Sequence, residues 1–227
     1  MRIVLLGAPG AGKGTHCKRI ADRYGVVHLS SGDILRRERA AGTELGKKAQ
    51  GYMDAGALVP DDLIVEMMIG AIRQAPKGYV LDGFPRTVNQ AEVLDRSLAA
   101  EKTEIDVVIN LVVDDRIVVE RITGRRSCPK CGAVYHVKNM PPKVPGVCDR
   151  EGTPLVQRPD DTEEVVRNRL KTYYQQTEPV VEYYKARRTV HDIDANADAD
   201  TAAAAIFRLL DPLARKVDAR GKKGKKA

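Results

Sequence analysis

Two hydrophobic periods alternate along the chain. Residues 3–6, Ile-Val-Leu-Leu, form an apolar run with no polar alternation, the mark of a strand buried on both faces of a parallel sheet. Further short strands are expected at 26–29, 79–82, 107–113 and 189–193, the fourth of the five an apolar run like the first. Between them, spacing near 3.6 predicts helices over 34–50, from Pro60-Asp61-Asp62 onward, over 89–100, from Asp114-Asp115 onward and over 201–213. A helix also continues from the glycine-rich stretch that follows the first strand. A proline followed by acids suits a helix start, because the ring presets φ and the carboxylates face the positive end of the helix dipole. Gly42 and Gly46 interrupt the 34–50 segment, and 53–59 is a turn region. Strand and helix alternating from end to end predict an α/β fold, a parallel five-stranded sheet with helices on both faces. Residues 124–160 break the alternation. Helical period vanishes there, and five prolines fall between Pro129 and Pro154, so an inserted subdomain of loops and hairpins is expected.

Composition changes this picture little. A chain of 227 residues can bury a sizeable core. No apolar run approaches the roughly 20 residues of a membrane helix, and the N-terminus enters a strand without a signal-peptide pattern. A cytoplasmic protein with no membrane partner is expected. The net charge of +7 is local: residues 212–227 carry seven bases and only Asp218 as acid, leaving 1–211 nearly neutral. That tail, 214–227, is expected to be disordered, as a solubilising end or as a weak contact for a polyanion such as RNA. The near-neutral body and the 4% of aromatics argue against a nucleic-acid-binding protein that stacks bases. Four cysteines in such a chain argue against disulfides. Cys17 stands alone on the first helix and reads as a small packed residue.

Candidate chemistry begins at Gly7, where the chain spells G-x-x-x-x-G-K to Lys13. After a strand and before a helix, this is a phosphate-binding loop. Its glycines let successive N–H groups turn inward, the helix N-terminus adds free donors, and Lys13 adds a point charge. Gly14 stands where many such loops carry Ser or Thr, and the hydroxyl arrives at Thr15. Asp82 ends the third strand, at the sheet edge where ligands of open α/β sheets sit, and suits Mg²⁺ held through water. Arg86 follows at the same edge. Arg121 and Arg125, spaced i, i+4, are expected on one helix face. With Arg158 and Arg169 they bracket the insertion, an arrangement that makes sense if polyphosphate lies between them.

The loop 7–15, Ser31-Gly-Asp33, Arg36, Met53-Asp-Ala-Gly56, Asp82-Gly-Phe-Pro-Arg86, Gln90, Arg121-Ile-Thr-Gly-Arg125, Tyr135-His136 and Arg158-Pro-Asp-Asp161 resemble the adenylate kinases, nucleoside monophosphate kinases, in their long-lid bacterial form. The resemblance covers residues 1 to about 213. It implies reversible transfer of the γ-phosphate of MgATP to AMP, giving two ADP, by a monomer. It also implies a core of 1–29, 60–123 and 162–213, an AMP-binding subdomain over 30–59 and a mobile lid over 124–161. ATP is then expected at Gly10, Ala11, Gly12, Lys13, Gly14, Thr15, Arg121, Arg125 and Tyr135. AMP is expected at Ser31, Arg36, Met53, Ala57, Val59, Gly83, Arg86, Gln90, Arg158 and Arg169, with Gln90 at the adenine edge. Catalysis would fall to Lys13, Arg86, Arg121, Arg125, Arg158 and Arg169, and the Phe84–Pro85 bond would be cis. Ser31 replaces the usual threonine, and Ala57 stands where relatives carry lysine. GTP remains an alternative donor, since such folds hold the donor base mostly by backbone.

Cys128-Pro-Lys-Cys131 and Cys148-Asp-Arg-Glu151 are two x₂ knuckles separated by 16 residues, a strong zinc signal whose fourth position is a carboxylate. Cys128, Cys131, Cys148 and Glu151 are expected to hold a structural Zn²⁺. Asp149 and His136 are rival fourth ligands, iron or cobalt would suit the same thiolates, and an abandoned site is the remaining alternative.

Overall fold

The computed structural model describes residues 1–223, with side chains to Arg215. Five parallel strands form the central sheet: β1 (Arg2–Gly7), β2 (Val27–Ser30), β3 (Tyr79–Asp82), β4 (Val107–Val112) and, after the two lid strands, β7 (Val190–Asp194). Their order is β2-β3-β1-β4-β7. The central strand β1 therefore has its connections leaving on both sides, and its carboxyl end opens onto the crevice where the order reverses.

Side-chain alternation splits the sheet between two cores. On one face Val4, Leu6, Leu29, Leu81 and Val108 pack under α4 (Asp61–Arg73), α5 (Val88–Ala100) and α8 (Glu178–Lys185). On the other Ile3, Leu5, Val80, Ile109 and Leu111 pack under α1 (Lys13–Tyr24) and α9 (Ala199–Lys223). The inner strands β1, β3 and β4 are largely apolar on both faces because both are covered, whereas the edge strands β2 and β7 carry polar residues.

The expected 34–50 helix is two helices, α2 (Ser31–Ala40) and α3 (Glu44–Asp54), parted by Gly42 at φ 67°. Thr43 caps the second by accepting the Gly46 N–H at 3.1 Å. Gly46 is no interruption. A Cβ there would lie 2.3 Å from the Glu38 carbonyl oxygen, so glycine is what lets α2 and α3 cross closely.

Helix α6 (Asp115–Thr123) ends at Gly124, and the chain turns at once into the lid hairpin β5 (Arg125–Ser127) and β6 (Val134–His136). Arg125 is therefore on a strand and shares no helix face with Arg121. The His136 ring packs against Gly124, where a Cβ would lie 2.3 Å from His136 Nε2. Beyond the lid, α7 (Glu163–Thr172) runs through a π-helical turn (Tyr173–Thr177) into α8, a rod absent from the pattern-based expectation. Pro179 at the start of α8 has no N–H to give, which suits a widened turn before it. The last helix reaches Lys223 instead of residue 213, so 214–223 are helical where disorder was expected, and 224–227 lie outside the described residues. Phe84–Pro85 is cis, as expected. Among the described residues no helix is long and apolar enough to cross a membrane.

The contrast between two α3 glycines gives a test. Gly46→Ala must force α2 and α3 apart and should destabilise by roughly 1–3 kcal/mol. Gly51, which has open space around it, should gain up to about 1 kcal/mol on Gly51→Ala from helix propensity. Urea unfolding of both variants decides, and equal midpoints would refute the close crossing.

Candidate active site

The loop between β1 and α1 carries Gly10 at φ 78° and Gly12 at φ 92°, left-handed positions that only glycine adopts freely. Helix α1 starts at Lys13 with Gly12 as its cap and no side-chain acceptor, so its first N–H groups face outward for a ligand. Lys13 curls back over the loop and donates to the carbonyls of Gly7 and Ala8, each at 2.7 Å. Burial brings its ammonium down to about 8, with Arg86 and Arg169 pushing the same way and Asp82 opposing them. Beneath the loop, His16 is buried and held neutral, near 4, by burial and then by Arg19 and Arg121.

Asp82 ends β3 beside the loop. Its carboxylate lies 3.2 Å from His28 Nε2, and a Cβ on Gly14 would come within 3.4 Å of it. A Ser or Thr at position 14 would crowd this carboxylate. Next along the edge, Arg86 donates through Nε to the Gly83 carbonyl at 2.8 Å. Ser31 Oγ donates to the same oxygen at 2.7 Å. Gln90 accepts the Arg86 N–H at 2.7 Å and donates to Asp61 at 2.7 Å, so its amide orients the arginine turn while lining the adjoining cleft. That cleft is open to solvent and its cavity measures about 70 Å³. Ser31, Arg36, Met53, Ala57, Val59, Gly83, Arg86, Gln90 and Arg169 line it, nine of the ten residues expected at the acceptor site. Arg158 is the exception, donating instead to Ser127 Oγ at 3.0 Å. Leu35 and Ile64, not expected, form its apolar wall.

Four arginines gather between this cleft and the lid. Arg125 forks onto Asp161, which is fully buried. Arg169 bonds Asp160 at 3.2 Å. Arg158 and Arg169 are both brought down to about 10, first by burial, then by neighbouring arginines against the pull of the acids. Arg86 is lowered for the same first reason. Arg125 is raised, because its bonds to Asp161 outweigh its burial. Asp160 and Asp161, quoted only as part of a motif, are thus the counterions of the cluster. Their position directly after Arg158-Pro159 was the available signal.

Two expected site residues stand elsewhere. Arg121 spends its donors on the carbonyls of Ala195, Asn196 and Ala197, at 2.8, 3.3 and 3.0 Å, beside α1 and outside the arginine cluster. Tyr135 faces the small core of the lid, with Cys128, Cys148 and Leu155, and accepts the Asp149 N–H at 2.9 Å. It is removed from the cleft because the hairpin turns its apolar ring toward the knuckles.

In the lid, Cys128, Cys131 and Cys148 converge, their sulfurs all within 4.8 Å of one another. The two knuckles share one backbone design: Gly132 N–H returns to the Cys128 carbonyl at 3.0 Å and Gly152 N–H to that of Cys148 at 2.9 Å. Gly132 and Gly152 both have positive φ, 70° and 61°. Glu151 therefore occupies the place in its knuckle that Cys131 holds in the other. Its carboxylate is turned to Lys130 Nζ at 2.7 Å and is not among the converging groups. The rivals are committed elsewhere: His136 Nδ1 accepts two backbone N–H groups, and Asp149 accepts the Lys143 N–H. Burial opposes ionisation of Cys148, yet the Tyr135 hydroxyl and the N–H groups of Arg150 and Glu151 bring it down to about 7. Three thiols with N–H donors around them suit Zn²⁺.

Comparison with known proteins agrees with this geometry. Residues 5–189 match the family model described as adenylate kinase. An adenylate kinase of Lachnospira eligens is 47% identical over 212 residues, covering 92% of this chain and all of that protein. One from Archaeoglobus fulgidus is 47% identical over 94% of this chain and 99% of its own length. One from Caldicellulosiruptor saccharolyticus is 50% identical over 82% of this chain and 87% of its own.

The depressed Lys13 sets a pH dependence. An anion binds the charged form, so affinity for ATP is full below about pH 8 and falls as the free lysine loses its proton above it. Arg158 and Arg169 stay charged over that window. Calorimetric titration from pH 7 to 9.5 should show this decline in the wild type and a flat, weaker affinity in Lys13→Met. A decline of equal slope in the variant would remove Lys13 as its source.

Proposed function

This chain belongs to the adenylate kinase family, and we propose that its residues divide the family's reaction, ATP + AMP to two ADP, in the following way. The observation that carries the assignment of roles is the crowd of buried cations between loop and cleft, Lys13, Arg86, Arg158 and Arg169, whose affinity for protons is lowered first by burial and then by neighbouring arginines. Bringing polyphosphate among them relieves that repulsion.

Lys13 leaves the carbonyls of Gly7 and Ala8 and pairs with the β- and γ-phosphates over the α1 N-terminus. Arg86 and Arg169 hold the acceptor phosphate in the cleft lined by Ser31, Arg36, Met53, Val59 and Gln90. The acceptor oxygen of AMP is already ionised, so no side chain has to act as base. What remains is in-line positioning and charge on the transferring group, supplied by Lys13, Arg125 and Arg158. Mg²⁺ bound with ATP neutralises the phosphate oxygens, and Asp82, opposite Gly14, is the acid suited to hold it through water. Arg121, its donors spent on carbonyls, offers the donor nucleotide its flat face rather than another phosphate contact. Residues 30–59 and 124–161 are the two parts that close over the substrates and exclude water. A coupled assay across AMP, UMP and GMP should show strong preference for AMP, and Lys13→Ala should lose on the order of 10²-fold or more in kcat. Equal kcat/KM for the three acceptors, or a Lys13→Ala variant within a few-fold of wild type, would defeat the assignment.

For the lid we propose a structural zinc on Cys128, Cys131, Cys148 and Glu151, the last turning from Lys130 to complete the set. The supporting observation is the shared design of the two knuckles. The lid's own core is five residues, Cys128, Ala133, Tyr135, Cys148 and Leu155, too few to offset roughly 1–2 kcal/mol of backbone entropy per ordered residue. A closed metal site supplies the difference. Protein purified without added metal should carry one zinc per chain, Glu151→Gln should retain it less well, and Glu151→Cys better. Chelation should melt the lid before the core in hydrogen exchange. Protection in the lid that is unchanged by chelation would show that the metal does not hold it.

A further inference from the structure

Nothing in the proposed transfer uses Cys17 or His28, yet the fold brings both to Asp82. His28 pairs in register with Val80, and Asp82 lies two residues further along β3, so the two side chains share a sheet face. Val80 packs into the core under α1, which identifies that face. Cys17 lies four residues after Lys13 on α1 and points to the same place. The sulfur, imidazole nitrogen and carboxylate oxygen all lie within 4.8 Å of one another, with His28 Nε2 and Asp82 Oδ2 at 3.2 Å.

We propose that Cys17, His28 and Asp82 form a second metal site, for Zn²⁺ or a similar borderline transition ion, at the floor of the nucleotide cleft, and that filling it inhibits the enzyme. Thiolate, imidazole and carboxylate are the donors such ions prefer, whereas Mg²⁺ and Ca²⁺ take oxygen. Three protein ligands leave a fourth tetrahedral position for water or a phosphate oxygen. With Zn–ligand lengths of about 2.0–2.3 Å, closing the triad requires movements on the order of 1 Å. Cys17 is fully buried, while the His28 and Asp82 side chains are 22% and 13% exposed. An ion from the cleft meets imidazole and carboxylate first, and the thiol closes from beneath, giving up its proton. The site is made by three different elements and is separate from the lid knuckles. Inhibition rests on the role proposed above for Asp82: a carboxylate bound to Zn²⁺ is withdrawn from Mg²⁺, and the ion sets a divalent charge where Lys13 must receive phosphate.

The test uses full-length protein with one equivalent of zinc in the lid and no nucleotide. Titration with Co²⁺ should show a second equivalent with the charge-transfer absorption of a single thiolate. Cys17→Ala should abolish that band, and His28→Gln should weaken binding at least about tenfold. In steady-state assays, added Zn²⁺ should inhibit the wild type in competition with Mg²⁺. Cys17→Ala should keep its activity in chelated buffer and resist inhibition. Failure to bind a second equivalent, or binding that Cys17→Ala leaves intact, would overturn the site. Cys17-dependent binding without inhibition would overturn the inhibitory role and the assignment of Asp82, while leaving the site.

Discussion

Repulsion between buried like charges is the interaction around which the molecule is arranged. Lys13 loses affinity for protons first to burial and then to Arg86 and Arg169, Arg169 to burial and then to Arg125 and Arg86, and Arg158 to burial and then to Arg36 and Arg125. Asp82, Asp160, Asp161 and Asp33 stand against them. Such an assembly does not hold itself together. It persists because Lys13 and Arg86 are tied to backbone carbonyls, Arg125 and Arg169 to acids and Arg158 to the Ser127 hydroxyl, and because the cores on the two faces of the sheet carry the stability. An anion among these cations would complete the charge balance, which is the basis of the role proposed for them.

The two excursions from the core solve different problems. The segment 30–59 contributes Leu35, Ala49 and Val59 to the large core under α4 and α5, so it is held by ordinary burial. The lid has a five-residue core of its own and connects to the body through Gly124 and the Arg125–Asp161 pair. The cysteine knuckles lie in the segment with the smaller core. The ion pair of Arg125 with fully buried Asp161 ties together the two ends of the segment 124–161.

Much of this was legible along the chain. The inner strands were visible as apolar runs because they are covered on both faces, and the phosphate loop was visible because glycine, lysine and flanking elements are tied to one another locally. Nine of the ten residues expected to hold AMP line one cleft. Less legible were the parts where period is masked or interrupted. The α7–α8 rod went unannounced, its run broken by the π turn and Pro179. Arg121 and Arg125 read as one helix face because sequence spacing does not show that Gly124 has no room for a Cβ beside His136.

What the sequence determined by itself was the inventory: which residues bear charge, thiol or apolar surface, and which local turns they can form. Only the tertiary structure decided their company. Arg121 and Arg125, four residues apart, are sent to different partners. Cys17, His28 and Asp82, spread over 66 positions, share one corner. Asp160 and Asp161, adjacent in the chain, hold different arginines. Local propensity acts over a few residues, whereas sheet order and helix crossings bring distant side chains within Coulomb and coordination range. The chemistry of the site is written in those distances.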